Sequence, residues 1–207
     1  MGKNCFFFGF LILDDQRLEG IPYKLQTMRT RESWSTSYFA TQEETDSQII
    51  LYCLYAKEAG YKFVRVTSPD SSVFFILVYY ASRLKNLTVL FETGKGNKKC
   101  CLAIGEFADS LTPALRSSLL SLCAFSGCDS CSAFNGKGKV APIKLLKKSV
   151  HFQEVFCKLG ESQEVPSDVP GVLEEFVCAM YDNASVKCVN DLGHTKFLAK
   201  CGSKRGS

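Results

Sequence analysis

Residues 125–148 read FSGCDSCSAFNGKGKVAPIKLLKK, a short run that holds a lone carboxylate, a glycine-paired turn and a basic helix. The layout predicts helix, turn, helix. Upstream, Thr112 is suited to an N-cap and Pro113 to the first helical position, and leucines follow at helical spacing through Leu122, so a helix runs toward Gly127. In Gly136-Lys137-Gly138-Lys139 the missing β-carbons allow positive φ and let the backbone come close to a phosphate. Residues 140–148 resume a helix, with Pro142 in its first turn and Lys144, Lys147 and Lys148 on one side. Taken alone, the same features describe a surface loop between two helices equally well.

Charge around this run is uneven. The 207-residue chain carries a formal net charge of only +4, so it is no polycation, and its 46% hydrophobic and 22% charged composition is that of a globular protein. Residues 95–148, however, place Lys95, Lys98, Lys99, Arg116, Lys137, Lys139, Lys144, Lys147 and Lys148 against Glu106, Asp109 and Asp129. Such an excess suits a phosphate backbone, and it also suits a solvated lysine face.

Working back toward the amino terminus, residues 47–59 show an apolar helical face of Ile49, Ile50, Cys53, Leu54 and Ala56, with acidic residues before it that complement a helix N-terminus. A strand over 62–67 ends at Ser68-Pro69-Asp70, and a carboxylate just past the carboxyl end of a strand is where an open α/β sheet builds its site. Residues 72–85 predict a buried helix and 87–91 a central strand. The turn 92–99 is basic but lacks Walker-loop spacing. Residues 102–107 are compatible with strand or helix. The alternation predicts an α/β fold with a mostly parallel sheet flanked by helices.

Three stretches together resemble the flap endonuclease and XPG-type nucleases, whose fold is PIN-like. Ser126-Gly127-Cys128-Asp129, an apolar Phe134, and Gly136-x-Gly138 before a basic helix look like the helix-turn-helix element with which that family holds duplex DNA. Glu44-x-Asp46 resembles the family's Glu-x-Glu at a helix start. The wider set, Glu-Glu-x-Asp, Ser-Pro-Asp and Gly-Cys-Asp, is similar to animal proteins that repeat this arrangement. The resemblance covers roughly residues 41–180. It implies that Glu44, Asp46, Asp70 and Asp129 form a catalytic set holding Mg2+ or Mn2+. It also implies that Lys95, Lys98, Lys99, Gly136, Lys137, Gly138, Lys139 and Lys144 hold nucleic-acid phosphates without reading bases. Relatives carry Asp-x-Asp where this chain has Asp70-Ser71-Ser72, so a hydroxyl replaces one carboxylate, and no counterpart of the family's amino-terminal strands precedes residue 41. The implied function is a nuclease-like protein that binds branched or duplex DNA, or RNA, with phosphodiester hydrolysis impaired or absent. The alternative is a non-catalytic structural or interaction fragment of a mobile-element-like family.

The remaining segments bound the rest. Residues 5–13, CFFFGFLIL, are too short to span a bilayer and predict a buried strand ending at Asp14-Asp15, either of which could stand in for a missing carboxylate. No signal-peptide cleavage site follows, so the expected location is intracellular, nuclear or cytoplasmic. Eleven cysteines in an odd count, with Cys128-x-x-Cys131 lacking a second pair at zinc-ribbon spacing, argue for thiols rather than a disulfide framework or zinc. Cys188, His194 and Cys201 lack a clear fourth metal ligand. The expected organisation is a divergent segment over 1–40, a nuclease-type domain over 41–180 with its helix-turn-helix element at about 112–160, and a poorly ordered basic tail over 181–207. Neither composition nor pattern speaks to oligomeric state.

Overall fold

The computed structural model describes residues 9–13, 26–27, 45–128, 131–162, 164–181 and 186–202. The chain divides into two compact units, Met1–Thr112 and Pro113–Ser207.

The first unit is α/β. Its sheet has the order β2-β1-β3-β4-β5, from β1 (Gly9–Leu13), β2 (Gln26–Thr27), β3 (Phe63–Thr67), β4 (Thr88–Thr93) and β5 (Cys100–Ala103). Only β3 and β4 pair in parallel; β1 is antiparallel to β2 and β3, and β5 is antiparallel to β4. The expected mostly parallel sheet is therefore corrected to a mixed one. Parallel neighbours need a crossover, which the helix between β3 and β4 provides, whereas a turn as short as residues 94–99 only returns the chain antiparallel. The segment left open at 102–107 divides at Ala103, giving the end of β5 and the start of a short helix.

Among the described residues the α-helices of this unit are α1 (Thr45–Glu58), α2 (Ser71–Tyr80) and α3 (Ile104–Asp109). Period-two alternation buries Val64 and Val66 of β3 and Val89 and Phe91 of β4. The helical period buries Ile49, Cys53 and Ala56 of α1, Val73 and Leu77 of α2, and Ile104 and Ala108 of α3. The Phe74 ring meets Phe91 at 5.5 Å and Phe107 at 5.1 Å between centroids, joining α2 to β4 and α3. Burial pushes the Cys53 thiol up to about 12, so it acts as a small apolar side chain. No described helix is long and apolar enough to cross a membrane.

The second unit is helical among its described residues: α4 (Pro113–Phe125), α5 (Val140–Lys148), α6 (Val150–Lys158), α7 (Val169–Met180) and α8 (Val189–Gly202). α4 packs on α5 and α6, and α7 on α5, α6 and α8. Phe176 is fully buried and stacks edge-on with Phe152, Phe156 and Phe125 at centroid distances of 5.1, 4.9 and 6.3 Å. Ser149 closes α5 and caps α6, its hydroxyl accepting from the Phe152 N–H at 3.3 Å. Buried Gln153 donates to the Leu146 carbonyl at 3.0 Å, satisfying an end carbonyl of α5. Within the tail expected over 181–207, Val189–Gly202 form α8, which seats Leu192 against Val177 and Cys178. Among its described side chains only Leu192 is a buried hydrophobic, while Phe197 and Leu198 are exposed, which is why its periodicity is weak.

Candidate nucleic-acid interface

In the first unit, β3 and β4 are parallel with Thr67 opposite Glu92, so their carboxyl ends share one sheet edge. Asp70 follows β3 and the turn 94–99 follows β4. The structure thus brings Asp70 to the same edge as Lys95, Lys98 and Lys99. Asp70 is the N-cap of α2: its Oδ1 accepts from the Ser72 N–H at 2.7 Å and from the Ser72 hydroxyl at 2.9 Å. Its own N–H donates to Ser68 Oγ at 3.0 Å. A cap of this type contributes about 0.5–2 kcal/mol. Ser72, which stands where the nuclease pattern has a second carboxylate, thus gives both of its donors to the first one.

The other expected carboxylates divide. Asp46 lies half-buried in the first turn of α1, where negative charge complements the helix dipole. Glu44 and Asp129 lie outside the described residues, as do Asp14 and Asp15. β1 ends at Leu13 opposite Phe63, the first residue of β3, and so leaves the sheet at the edge away from Asp70. Among the described residues, no three His, Cys, Asp or Glu side chains gather to hold a metal ion. A two-metal centre needs several carboxylates to offset its charge, and the described residues do not fit one.

The lysines of the first unit also divide. Lys99 Nζ pairs with Glu92 Oε1 at 3.1 Å, and Arg65 approaches Glu92 Oε2 at 3.8 Å. Lys95 and Lys98 are exposed. Gly94, at φ +86°, closes this turn, and a β-carbon there would collide with the Lys98 carbonyl oxygen.

In the second unit, the glycine-paired turn is built against its neighbours. Gly136 has φ +71°, as expected for this turn. Lys139 departs from the expectation of a phosphate ligand. It is half-buried, and its ammonium donates to the carbonyls of Gly127 at 2.8 Å and Cys123 at 3.3 Å, with Cys123 Sγ at 3.0 Å. Carbonyls at the end of α4 have no intrahelical partner, and a cation there satisfies them and complements the helix dipole. Lys137 points elsewhere, with its ammonium 5.3 Å from the centre of the Tyr181 ring. Lys196 of α8 reaches the same ring at 5.4 Å. The Tyr181 hydroxyl donates to the Asn135 carbonyl at 2.9 Å, tying the end of α7 to the turn. On α5, Pro142 and Leu146 are buried while Lys144, Lys147 and Lys148 are exposed.

Tyr181 and Lys196 are absent from the residues that the sequence singles out. Tyr181 reads as the last residue of a core helix, and Lys196 belongs to a segment of weak periodicity. The available signal was Leu192, whose burial sets the rotation of α8. Known proteins offer no further guide, since no family model, curated protein or solved structure matches the chain.

Proposed function

We propose that the chain binds the phosphate backbone of duplex or branched DNA through its second unit, as a nuclease-like module whose phosphodiester hydrolysis is impaired or absent. The observation that carries this reading is the convergence of Lys137 and Lys196 on the Tyr181 ring beside the 136–139 turn. Each ammonium gains about 0.5–1 kcal/mol from the ring at an exposed site. Two cations held at one ring concentrate positive charge beside the turn, which suits a phosphate backbone. Lys144, Lys147 and Lys148 extend the positive surface along α5, where they hold a backbone by charge without reading bases. The impaired hydrolysis rests on Asp70, whose Oδ1 is committed to its helix cap, and on the hydroxyl at Ser72. No chemical step is assigned to the described carboxylates.

Binding is tested by fluorescence anisotropy of labelled duplex DNA, branched DNA and single-stranded RNA across a salt series. The logarithm of affinity for DNA falls linearly with that of salt, by about 0.9 per phosphate neutralised. The double variant Lys137→Ala/Lys196→Ala lowers that slope by about 2. Absence of salt-dependent binding overturns the reading in favour of a structural fragment, and preference for RNA overturns the choice of DNA. End-labelled branched DNA incubated with Mn2+ tests the second half: cutting that disappears in an identically purified Asp70→Asn variant overturns impaired hydrolysis.

A further inference from the structure

Cys128 and Cys131 form an isolated antiparallel bridge, in which the Cys128 N–H donates to the Cys131 carbonyl at 3.2 Å and the Cys131 N–H to the Cys128 carbonyl at 3.1 Å. Two residues that exchange both backbone hydrogen bonds have Cα atoms about 5.5 Å apart. Disulfides are built on Cα separations of about 4.4–6.8 Å. Directly opposed residues of an antiparallel pair also carry their side chains on the same face, so the two thiols start from facing positions. The bridge is held from outside as well. Lys139 fixes the Gly127 carbonyl, and Gly127, at φ +118°, lies so close to Ala133 that a β-carbon on it would sit 2.7 Å from the Ala133 Cα. Cys131 is exposed and Cys128 half-buried, and both are thiols in this structure.

We propose that Cys128 and Cys131 are a reversible dithiol–disulfide couple that exchanges with small-molecule disulfides of the glutathione type. This inference is independent of DNA binding. Cys131, the more accessible, attacks as thiolate on one sulfur of the small disulfide; that S–S bond breaks and one small thiolate leaves. The Cys128 thiolate then attacks the Cys131 sulfur of the mixed disulfide and expels the second small thiolate. The two protons lost by the cysteines are taken up by the two thiolates released, so two protein thiols are oxidised and one small disulfide is reduced. Opposed Cβ atoms across such a pair stand about 4.5–5.5 Å apart, whereas a relaxed disulfide needs about 3.5–4.5 Å. Closing that gap strains the bond and keeps it reducible, which is the property a reversible couple needs.

The test equilibrates the full chain in glutathione buffers of increasing oxidised-to-reduced ratio, quenches with acid, alkylates the remaining thiols and assigns each cysteine by fragment-ion mass spectrometry. The expected result is a disulfide between Cys128 and Cys131 that forms over a defined ratio and returns to thiols when the buffer is reversed. In Cys128→Ser, the glutathione adduct on Cys131 persists because nothing resolves it. Circular dichroism of that variant separates this trapping from unfolding, since an adduct on an unfolded chain would appear on every cysteine alike. The proposal is overturned if both positions stay alkylatable at ratios that modify the exposed Cys100 and Cys101. It is equally overturned if the wild-type chain accumulates separate adducts on both positions, or if the bond found pairs either cysteine with Cys123.

Discussion

Asp70 in the first unit and Lys139 in the second carry opposite charges, yet both are claimed by a helix end. Asp70 accepts the N–H and hydroxyl of Ser72 at the start of α2, and Lys139 donates to the Cys123 carbonyl in the last turn of α4 and to the Gly127 carbonyl just beyond it. Helix ends leave backbone donors and acceptors unpaired, and the nearest group of the right sign satisfies them first. The difference lies in what remains around each. Beside Asp70, Lys99 is already paired with Glu92, and the described residues hold no metal-sized group of acids. Beside Lys139, the same turn directs Lys137 to a ring that Lys196 also reaches. Asp70 is thus absorbed by its helix cap, while the lysine turn carries a second cation to the Tyr181 ring. A motif read for its chemistry first has to be cleared of its structural duties.

The comparison is broken or sharpened by substitutions in each unit, beginning with the largest effect. Phe176→Ala removes the ring around which the second unit packs and costs about 3–5 kcal/mol; urea unfolding reads the loss, and a chain still as stable would show that α7 is not central to that core. Lys139→Ala leaves the Gly127 and Cys123 carbonyls without their charged donor, a loss of about 1.5–3 kcal/mol. Lys137→Ala gives up its place at the Tyr181 ring, a smaller loss of about 0.5–1 kcal/mol, while lowering the salt slope of DNA binding by about 1. Equal stability losses at the two lysines would erase the distinction drawn between them.

At the other helix end, Asp70→Ala costs about 0.5–2 kcal/mol, whereas Asp70→Asn stays close to the original because asparagine caps equally well. A large loss for the asparagine variant would mean that the negative charge itself holds more than α2. The last effect is confined to alkaline pH. Burial raises Cys53 from the ordinary 9.0 to about 12, so above the lower value the unfolded chain ionises first. The thiol's contribution is complete below the unfolded value and is lost as pH rises toward the folded one. Cys53→Ala should make stability fall less steeply over that window, by comparison of unfolding midpoints at successive pH values. Identical pH profiles would remove Cys53 as a contributor.

Much of the fold was legible because local periodicity carried it. Alternation around Val64 and Val66, the continuous apolar run at Val89 and Phe91, and leucine spacing in α4 each point to the element that forms. The sheet's direction was not legible at β5. Residues 102–107 read equally as strand or helix, and only pairing with β4 selects an antiparallel strand over Cys100–Ala103 that turns the sheet mixed. At the candidate interface, Lys137, Lys144 and the φ of Gly136 follow from the turn's own chemistry. Tyr181 and Lys196 do not, because they lie far along the chain and meet the turn only through the packing of α7 and α8.

The sequence by itself determined the helical periods of α1, α2 and α4, where the helices α4 and α5 begin, and that a glycine-paired basic turn joins them. These are short-range matters of spacing, capping and φ. Tertiary structure alone decided which cation faces a helix end and which faces an aromatic ring, and which cysteine opposes which. Those choices depend on residues brought together from separate elements, and the free energy that selects among them exists only once the core around Phe176 has closed.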